Sequence, residues 1–156
     1  MLDIGGRMTE VTLDLFRSMM RLEASDGPVV ELPSDPSKTE IVAFIGLSGT
    51  ACGMVGVYSS GRLACRMAGA LLGAQPGEVN DEVRDGFGEV ANIIAGNVAT
   101  ALCDVGEMVQ LSLPSVICGK CMVTSILDTE PPRRARRFTV DGEDLYVELA
   151  LRRDED

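Results

Sequence analysis

The stretch NDEVRDGFGEVANIIAGNVATALCD, residues 80–104, carries the longest regular pattern in the chain. Its apolar residues recur every three or four positions, which is the period of an amphipathic α-helix. Asn80 and Asp81 are both suitable N-cap residues, acidic side chains crowd the first turn, and Gly106 stands just beyond the last one. The spacing predicts one helix over residues 80–104, around which the rest of the fold can be arranged.

One side of this predicted helix is polar. With about 100° between successive residues, Asp85, Glu89, Asn92 and Gly96 fall within about 60° of one another. We expect this polar stripe to face outward and the opposite, apolar side to pack on a sheet. The residues on the apolar side are Val83, Phe87, Val90, Ile94, Val98 and Ala101.

A stripe of this kind can be a plain solvated helix face or a binding face. Asp85 and Glu89, one turn apart, repel each other mildly. Asn92 and Gly96 are both unfavourable in the middle of a helix, and glycine costs about 1 kcal/mol relative to alanine there. A face that gives up helix propensity without a packing reason is consistent with a function, although the residues alone leave both interpretations open.

The remaining elements are shorter. Helices are predicted over residues 8–23 and 61–73, the latter ending at Gly73, and a turn-rich segment with Gly27, Pro28, Pro33 and Pro36 follows the first helix. Predicted strands cover residues 39–47, 51–59, 108–113, 115–126, 137–141 and 145–152, with hairpin turns at residues 48–50 and 141–142. No linker divides the chain. We therefore expect a single domain over residues 1–156 of the α+β class, with long helices packed on an antiparallel-rich sheet.

Composition excludes several classes of function. The net charge of −10 argues against nucleic acid and anionic membranes as partners and suits a partner with a basic face. The chain has no histidine, which excludes Ser-His-Asp and Cys-His catalysis and histidine-ligated metals. Five cysteines, mostly in apolar stretches, indicate reduced, buried thiols. Neither a membrane-spanning run nor a signal peptide is expected, so we predict a cytoplasmic protein.

The polar stripe carries a family resemblance. Asp85-x3-Glu89-x2-Asn92, followed by Pro114 after 21 intervening residues, resembles the signature of the CheC/CheX/FliY family of chemotaxis phosphatases. The strings GEVANIIAGN at residues 88–97 and LSLPSV at residues 111–116 are most similar to CheX. The length and the order of elements fit CheX as well, so the resemblance extends over nearly the whole chain.

The N-terminal half contains a degenerate copy of this motif. Glu10-x2-Leu13 is followed by Pro33, and Leu32-Pro33-Ser34 echoes the LPS of residues 113–115. Gly6 stands where the first acid would be, and Leu13 stands where the asparagine would be. The pattern suggests an internal pseudo-duplication in which the second half alone keeps its polar residues, as in CheX.

The resemblance implies removal of the phosphoryl group from the aspartyl-phosphate of a CheY-like response regulator. It assigns catalysis to Glu89 and Asn92, with Asn92 orienting the attacking water and Glu89 pairing with a lysine of the receiver domain. Asp85 would support the docking edge, Gly96 would let the receiver approach closely, and Pro114 would be structural. It further implies a homodimer without a metal of its own, because Mg²⁺ is held by the receiver.

Alternatives remain at this point. The same helix face could belong to a non-catalytic binding module that docks a receiver or another signalling partner, or the chain could be a structural component of the flagellar-switch type. Cys118-x2-Cys121 has no second ligand pair, so two core or edge thiols are favoured over zinc. The arginine-rich run at residues 133–137 lies among acids at 128, 130, 141, 143 and 144, which favours ion pairing within the chain on a sheet edge.

Overall fold

The computed structural model describes residues 4–32, 38–119 and 133–153. In these ranges the chain forms three α-helices, one π-helical segment and seven strands. The bounds are α1 Ile4–Asp14, the π-helical segment Leu15–Met19, β1 Ala24–Glu31, β2 Ile41–Gly49, β3 Ala51–Ser59, α2 Gly61–Leu72, α3 Asp81–Asp104, β4 Val109–Leu111, β5 Ser115–Cys118, β6 Arg134–Val140 and β7 Glu143–Arg153.

All seven strands belong to one antiparallel sheet. The order is β1-β6-β7-β3-β2, and β2 pairs with β4 at one end and with β5 at the other. The β7–β3 pair is central. On one side of it lies β6, the hairpin partner of β7, and then β1, which follows the first helix. On the other side lies β2, the hairpin partner of β3, and then β5, which comes after α3. The sheet is therefore approximately two-fold symmetric, in agreement with the pseudo-duplication, and the α+β class is confirmed.

The predicted hairpins and two of the predicted helices form because local signals and tertiary packing agree. Asp141 and Gly142, with φ of 51° and 82°, make the tight turn between β6 and β7. The Ser60 hydroxyl accepts a hydrogen bond from the Leu63 N–H at 3.1 Å at the start of α2, and Gly73 ends that helix in the left-handed conformation. At α3 the N-cap is Asn80, whose Oδ1 accepts from the Val83 N–H at 2.9 Å.

The predicted first helix over residues 8–23 is wrong at both ends. The helix begins at Ile4, although Gly5 and Gly6 are poor helix formers, and its regular part ends at Asp14. The helix then continues with wider, π-helical turns. The Met20 N–H donates to Leu15 O at 3.2 Å, five residues back, and the Leu22 N–H donates to Phe16 O at 2.8 Å, six residues back.

The turn-rich segment predicted after the first helix is also partly wrong. Gly27 and Pro28 lie within β1, at a register shift between Asp26 and Val29 in the pairing with β6. A bulge on an edge strand accommodates a proline, because its missing N–H is not needed in the ladder. Pro33 and Pro36, and the part of the predicted strand beyond Gly119, lie outside the described residues.

The helices pack on one face of the sheet. The large core joins inward side chains of the strands to buried residues of the helices, among them Phe16, Leu63, Phe87, Ile94 and Val147. The opposite face carries a smaller cluster, because neighbouring residues of a strand point to opposite sides. Its buried members are Leu32, Val42, Tyr58, Ala135 and Tyr146.

A buried polar network lies among the residues of this second face. Glu148, with 1% of its surface exposed, accepts hydrogen bonds from the Tyr58 hydroxyl at 2.6 Å and from Arg133 Nε at 2.6 Å. A second Arg133 nitrogen bonds to both Glu148 and Tyr58. Burial, with the adjacent Glu148 carboxylate, raises the pKa of Tyr58 well above its usual range.

The arginine-rich run does pair within the chain, in part with Glu31 on the edge strand β1. Its described partners, Glu148 and Glu31, are not the acids at 141, 143 and 144, and the acids at 128 and 130 lie outside the described residues. Strand β6 lies between β1 and β7, inside the sheet. Arg133 pairs with Glu148, and Arg134 lies 3.8 Å from Glu31. Burial of the cysteines was likewise overestimated, since Cys103 is exposed and Cys65 alone is buried among the four described cysteines.

Candidate functional site

The site is built on α3. Its apolar side is buried as expected, and the six residues predicted to face the core have at most 1% of their surface exposed. Asp85 and Glu89 are exposed, whereas Asn92 and Gly96 are half-buried. The structure therefore brings all four sequence-predicted site residues together on one outward line of a single helix.

Glu89 and Asn92 are adjacent and available to a ligand. Residues three apart on a helix have Cβ atoms about 5–6 Å apart, so the carboxylate and the carboxamide can reach the same small group. Neither side chain has a hydrogen-bond partner within the part of the chain that the structure describes. An amide can both accept and donate hydrogen bonds, and a carboxylate accepts them, so the pair can hold a water and a cation side by side.

Two glycines of α3 that the sequence analysis did not single out fix the helix in position. A Cβ on Gly86 would lie 2.7 Å from the Ala68 Cβ of α2, so the two helices touch through their backbones. A Cβ on Gly88 would lie 3.3 Å from Val116 and 3.4 Å from Pro114. The signal in the sequence was the pair of glycines around Phe87, but their purpose depends on partners that are distant along the chain.

Pro114 packs against α3 directly beside the polar stripe. It lies between β4 and β5, in a connection held to β2 by two hydrogen bonds between Ser112 and Gly46, of 2.8 Å and 2.9 Å. Because Gly88 is one turn before Asn92 and one residue before Glu89, Pro114 supports the helix at the level of these two residues. The structural role predicted for Pro114 is consistent with this contact.

Gly96 differs from the other two glycines, because a Cβ placed on it meets none of the described atoms within 4 Å. It is thus not required for packing inside the described part of the chain. A glycine that leaves an open, flat spot next to Asn92 allows another backbone to come close.

The electrostatic character of the site is acidic at the N-terminal end of α3. Asp81, Glu82, Asp85 and Glu89 are all exposed there, and Arg84 lies 3.9 Å from Asp81. Carboxylates in the first turn are favoured by the helix dipole. On α3 itself no residue from Val90 to Thr100 is charged, so the helix has a negative N-terminal end and a neutral middle.

Among the described residues no group of three or more His, Cys, Asp or Glu side chains is arranged to hold a metal ion. No helix within the described ranges has the length and apolar character needed to span a membrane.

The fold is that of the CheX/CheC-like chemotaxis proteins. The family model described as chemotaxis phosphatase CheX matches residues 41–131, which is more than half of the chain and includes α3 and Pro114. This chain therefore belongs to the CheX family. No curated protein sequence matches it significantly.

Solved structures agree on the fold. The chain is similar to the CheX of a CheX–CheY–BeF3–Mg²⁺ complex from Borrelia burgdorferi, with 24% identity, a TM-score of 0.79 and coverage of 97% of this chain and 99% of that one. It is also similar to CheX from Desulfovibrio desulfuricans, with 23% identity, a TM-score of 0.77 and coverage of 97% and 100%. It is similar as well to CheX from Vibrio vulnificus, with 18% identity, a TM-score of 0.80 and coverage of 97% of this chain and 100% of that one.

Proposed function

We propose that this protein is a phosphatase that hydrolyses the aspartyl-phosphate of a CheY-like receiver. The observation that carries the proposal is the pair formed by exposed Glu89 and half-buried Asn92, whose side chains have no hydrogen-bond partner in the described part of a chain of the CheX family. The solved complex of a similar CheX with CheY supports a receiver as the partner.

Asn92 is proposed to orient the attacking water. Phosphoryl transfer passes through a loose transition state, so positioning and charge matter more than a strong base. The Asn92 carbonyl accepts a hydrogen bond from the water, which directs an oxygen lone pair at phosphorus in line with the aspartyl oxygen. Water adds, the aspartyl carboxylate leaves, and inorganic phosphate is released. A neutral amide performs this task without repelling the anionic phosphoryl group.

Glu89 is proposed to pair with a lysine of the receiver. A carboxylate beside a phosphoryl group would raise the barrier through repulsion, so Glu89 is a poor general base. A charge pair at a desolvated interface instead fixes the register in which the partner docks, and removing one member costs several kcal/mol in measured cases. Asp85, one turn earlier, extends this edge, and Gly96, one turn after Asn92, leaves room for the receiver backbone.

The rest of the proposal concerns the assembly. The chain itself contributes no metal. Mg²⁺ belongs to the receiver, where it neutralises phosphoryl oxygens. Following the family resemblance we further propose a homodimer and a cytoplasmic location, where receiver domains act.

Phosphate release from receivers of the same genome tests the proposal. Each receiver is phosphorylated with a small-molecule donor in the presence of Mg²⁺, and its decay is followed with and without this protein. We expect faster decay of one receiver, and a loss of about 100-fold of the acceleration in Asn92→Ala, as is typical when a reacting group loses its positioning. Binding should be largely retained, because the docking charges remain.

Asn97→Ala is the matched control. Asn97 is an exposed asparagine on the same helix, and its amide donates to Ile93 O at 2.9 Å. It should leave the rate unchanged. Wild-type rates in Asn92→Ala would rule out the mechanism, and binding of a receiver without acceleration by the wild-type protein would instead support the non-catalytic binding module.

A further inference from the structure

The most exposed large apolar side chain described lies beside the proposed catalytic pair. Leu113 has 87% of its surface exposed. It directly precedes Pro114, which packs on Gly88, and Gly88 is one turn from Asn92 on the same side of α3. One Cα spacing along the chain, the Pro114–Gly88 contact and one helical turn together put Leu113 at most about 16 Å from Asn92.

Leu113 is held in this exposed position by its neighbours. Its carbonyl accepts a hydrogen bond from the Ser112 hydroxyl at 3.0 Å, and the same hydroxyl accepts from the Gly46 N–H at 2.8 Å. On the other side, the ring of Pro114 fixes the backbone and lies against α3. A side chain presented by a fixed backbone loses little conformational freedom when a partner covers it.

The size of a protein interface places Leu113 within the docking area. A standard interface covers about 800 Å² on each partner, which as a disc has a radius of about 16 Å. A receiver interface of this size centred on Asn92 therefore reaches Leu113. Covering an apolar side chain there also excludes water from the neighbouring Glu89 pair, as the surroundings of interface hot spots do.

We propose that Leu113 is the apolar docking residue of the receiver interface and buries itself against an apolar side chain next to the receiver's phosphorylation site. This inference rests on the proposed function, since the receiver is the occupant. Each of the three residues then has a separate role. Glu89 fixes the register in which the receiver docks, Asn92 orients the water, and Leu113 contributes affinity for the receiver. Leu113 would contact the receiver but not the reacting atoms. Its substitution is therefore expected to change KM and to leave kcat nearly unchanged.

The test compares three variants in the phosphate-release assay. Leu113→Ala should raise KM for the receiver about tenfold, because burial of a leucine is worth about one to two powers of ten in an equilibrium and alanine keeps part of it. Its kcat should stay within about twofold of wild type, a change too small for a lost transition-state contact. Leu113→Met, which keeps the apolar volume, should stay near the wild-type KM.

Val29→Ala is the control. Val29 is half exposed and lies on β1, at the opposite edge of the sheet from β4 and β5, so its loss should change neither constant. An unchanged KM in Leu113→Ala, a fall confined to kcat, or an equal rise in Val29→Ala would each overturn the inference while leaving the phosphatase in place.

A failure of the proposed function gives a different result. If the wild-type protein accelerates no receiver, affinity for receivers activated with beryllofluoride and Mg²⁺ takes the place of KM. A tenfold weaker affinity of Leu113→Ala would then support the docking role without catalysis. Unchanged affinity, or no binding by any receiver, would overturn it.

Discussion

The two halves of the molecule share one plan and differ in one helix. In each half a helix precedes a strand that pairs with the hairpin of the other half, β1 with β6 and β5 with β2. The helix of the second half runs for 24 residues, but that of the first has 11 before it widens into the π-helical segment. Where α3 presents Glu89 and Asn92 to solvent, α1 has an exposed Glu10 and a Leu13 packed against the core.

This difference separates what the fold needs from what the proposed chemistry needs. Both helices bury an apolar side on the sheet, and either half satisfies that requirement. Only α3 combines an outward amide, an outward carboxylate and the close support of Gly86 and Gly88. The degenerate motif of the first half therefore remains as a structural element, although Leu13 has taken the place of the asparagine.

The largest expected effect comes from reversing a charge in one half and then in the other. Glu89→Lys should abolish measurable acceleration of receiver dephosphorylation and weaken binding, because it places a cation opposite the proposed receiver lysine. Glu10→Lys makes the same change at the corresponding exposed position of α1 and should leave both unchanged. Equal losses in the two variants would show that the halves do not differ in function.

The next effect concerns the polar network by which β3 of the first half and β7 of the second are joined. Glu148→Ala removes the buried carboxylate to which Tyr58 and Arg133 donate, and should lower the free energy of unfolding by about 3–5 kcal/mol. Urea denaturation measures this.

Glu31→Ala provides the matched comparison for that network. Glu31 pairs with Arg134 at 3.8 Å, with 63% of its side chain exposed. Its removal should cost less than about 1 kcal/mol, because exposed ion pairs contribute little. Similar losses in the two variants would contradict the distinction between the buried and the exposed pair.

The sequence predicted the elements whose local signals agree with their surroundings, and it failed where distant contacts decide. The capped helices α2 and α3 and the two hairpins were predicted correctly. The end of α1 was not, because it depends on Leu22 bonding back to Phe16 and on Arg21 adopting a φ of 55°. Strand β1 was missed because Gly27 and Pro28 are tolerated only by the bulge against β6.

The site divides in the same way. The outward line from Asp85 to Gly96 follows from helical periodicity alone, so it could be placed from the sequence. Gly86 and Gly88 acquire their purpose only when α2 and Pro114 are positioned in three dimensions. The exposure of Leu113 is equally a tertiary property, since the predicted strand over residues 108–113 does not indicate which of its side chains face solvent.

A smaller effect separates two glycines of α3. Gly86→Ala should lower the free energy of unfolding by about 1–3 kcal/mol, because the new Cβ would lie 2.7 Å from the Ala68 Cβ and overpack the helix pair. Gly96→Ala should raise it by up to about 1 kcal/mol, since the position is open and alanine favours the helix. Thermal or urea unfolding of both variants measures the change in the free energy of unfolding relative to the wild type. Changes of the same sign in the two variants would contradict the assigned roles of the two glycines.

The smallest effect is a pH dependence at the junction of the halves. Burial and the Glu148 carboxylate raise the pKa of Tyr58 in the folded protein above its unfolded value near 10.0. The neutral phenol is therefore favoured by folding, and this contribution is complete below pH 10.0 and declines as the pH rises further, when the unfolded chain loses its proton first.

Unfolding free energies measured from pH 8 to 11 should fall less steeply in Tyr58→Phe than in the wild type, with a difference of about 1 kcal/mol per pH unit at most. A Tyr58→Phe slope identical to that of the wild type would show that the phenol does not titrate with folding.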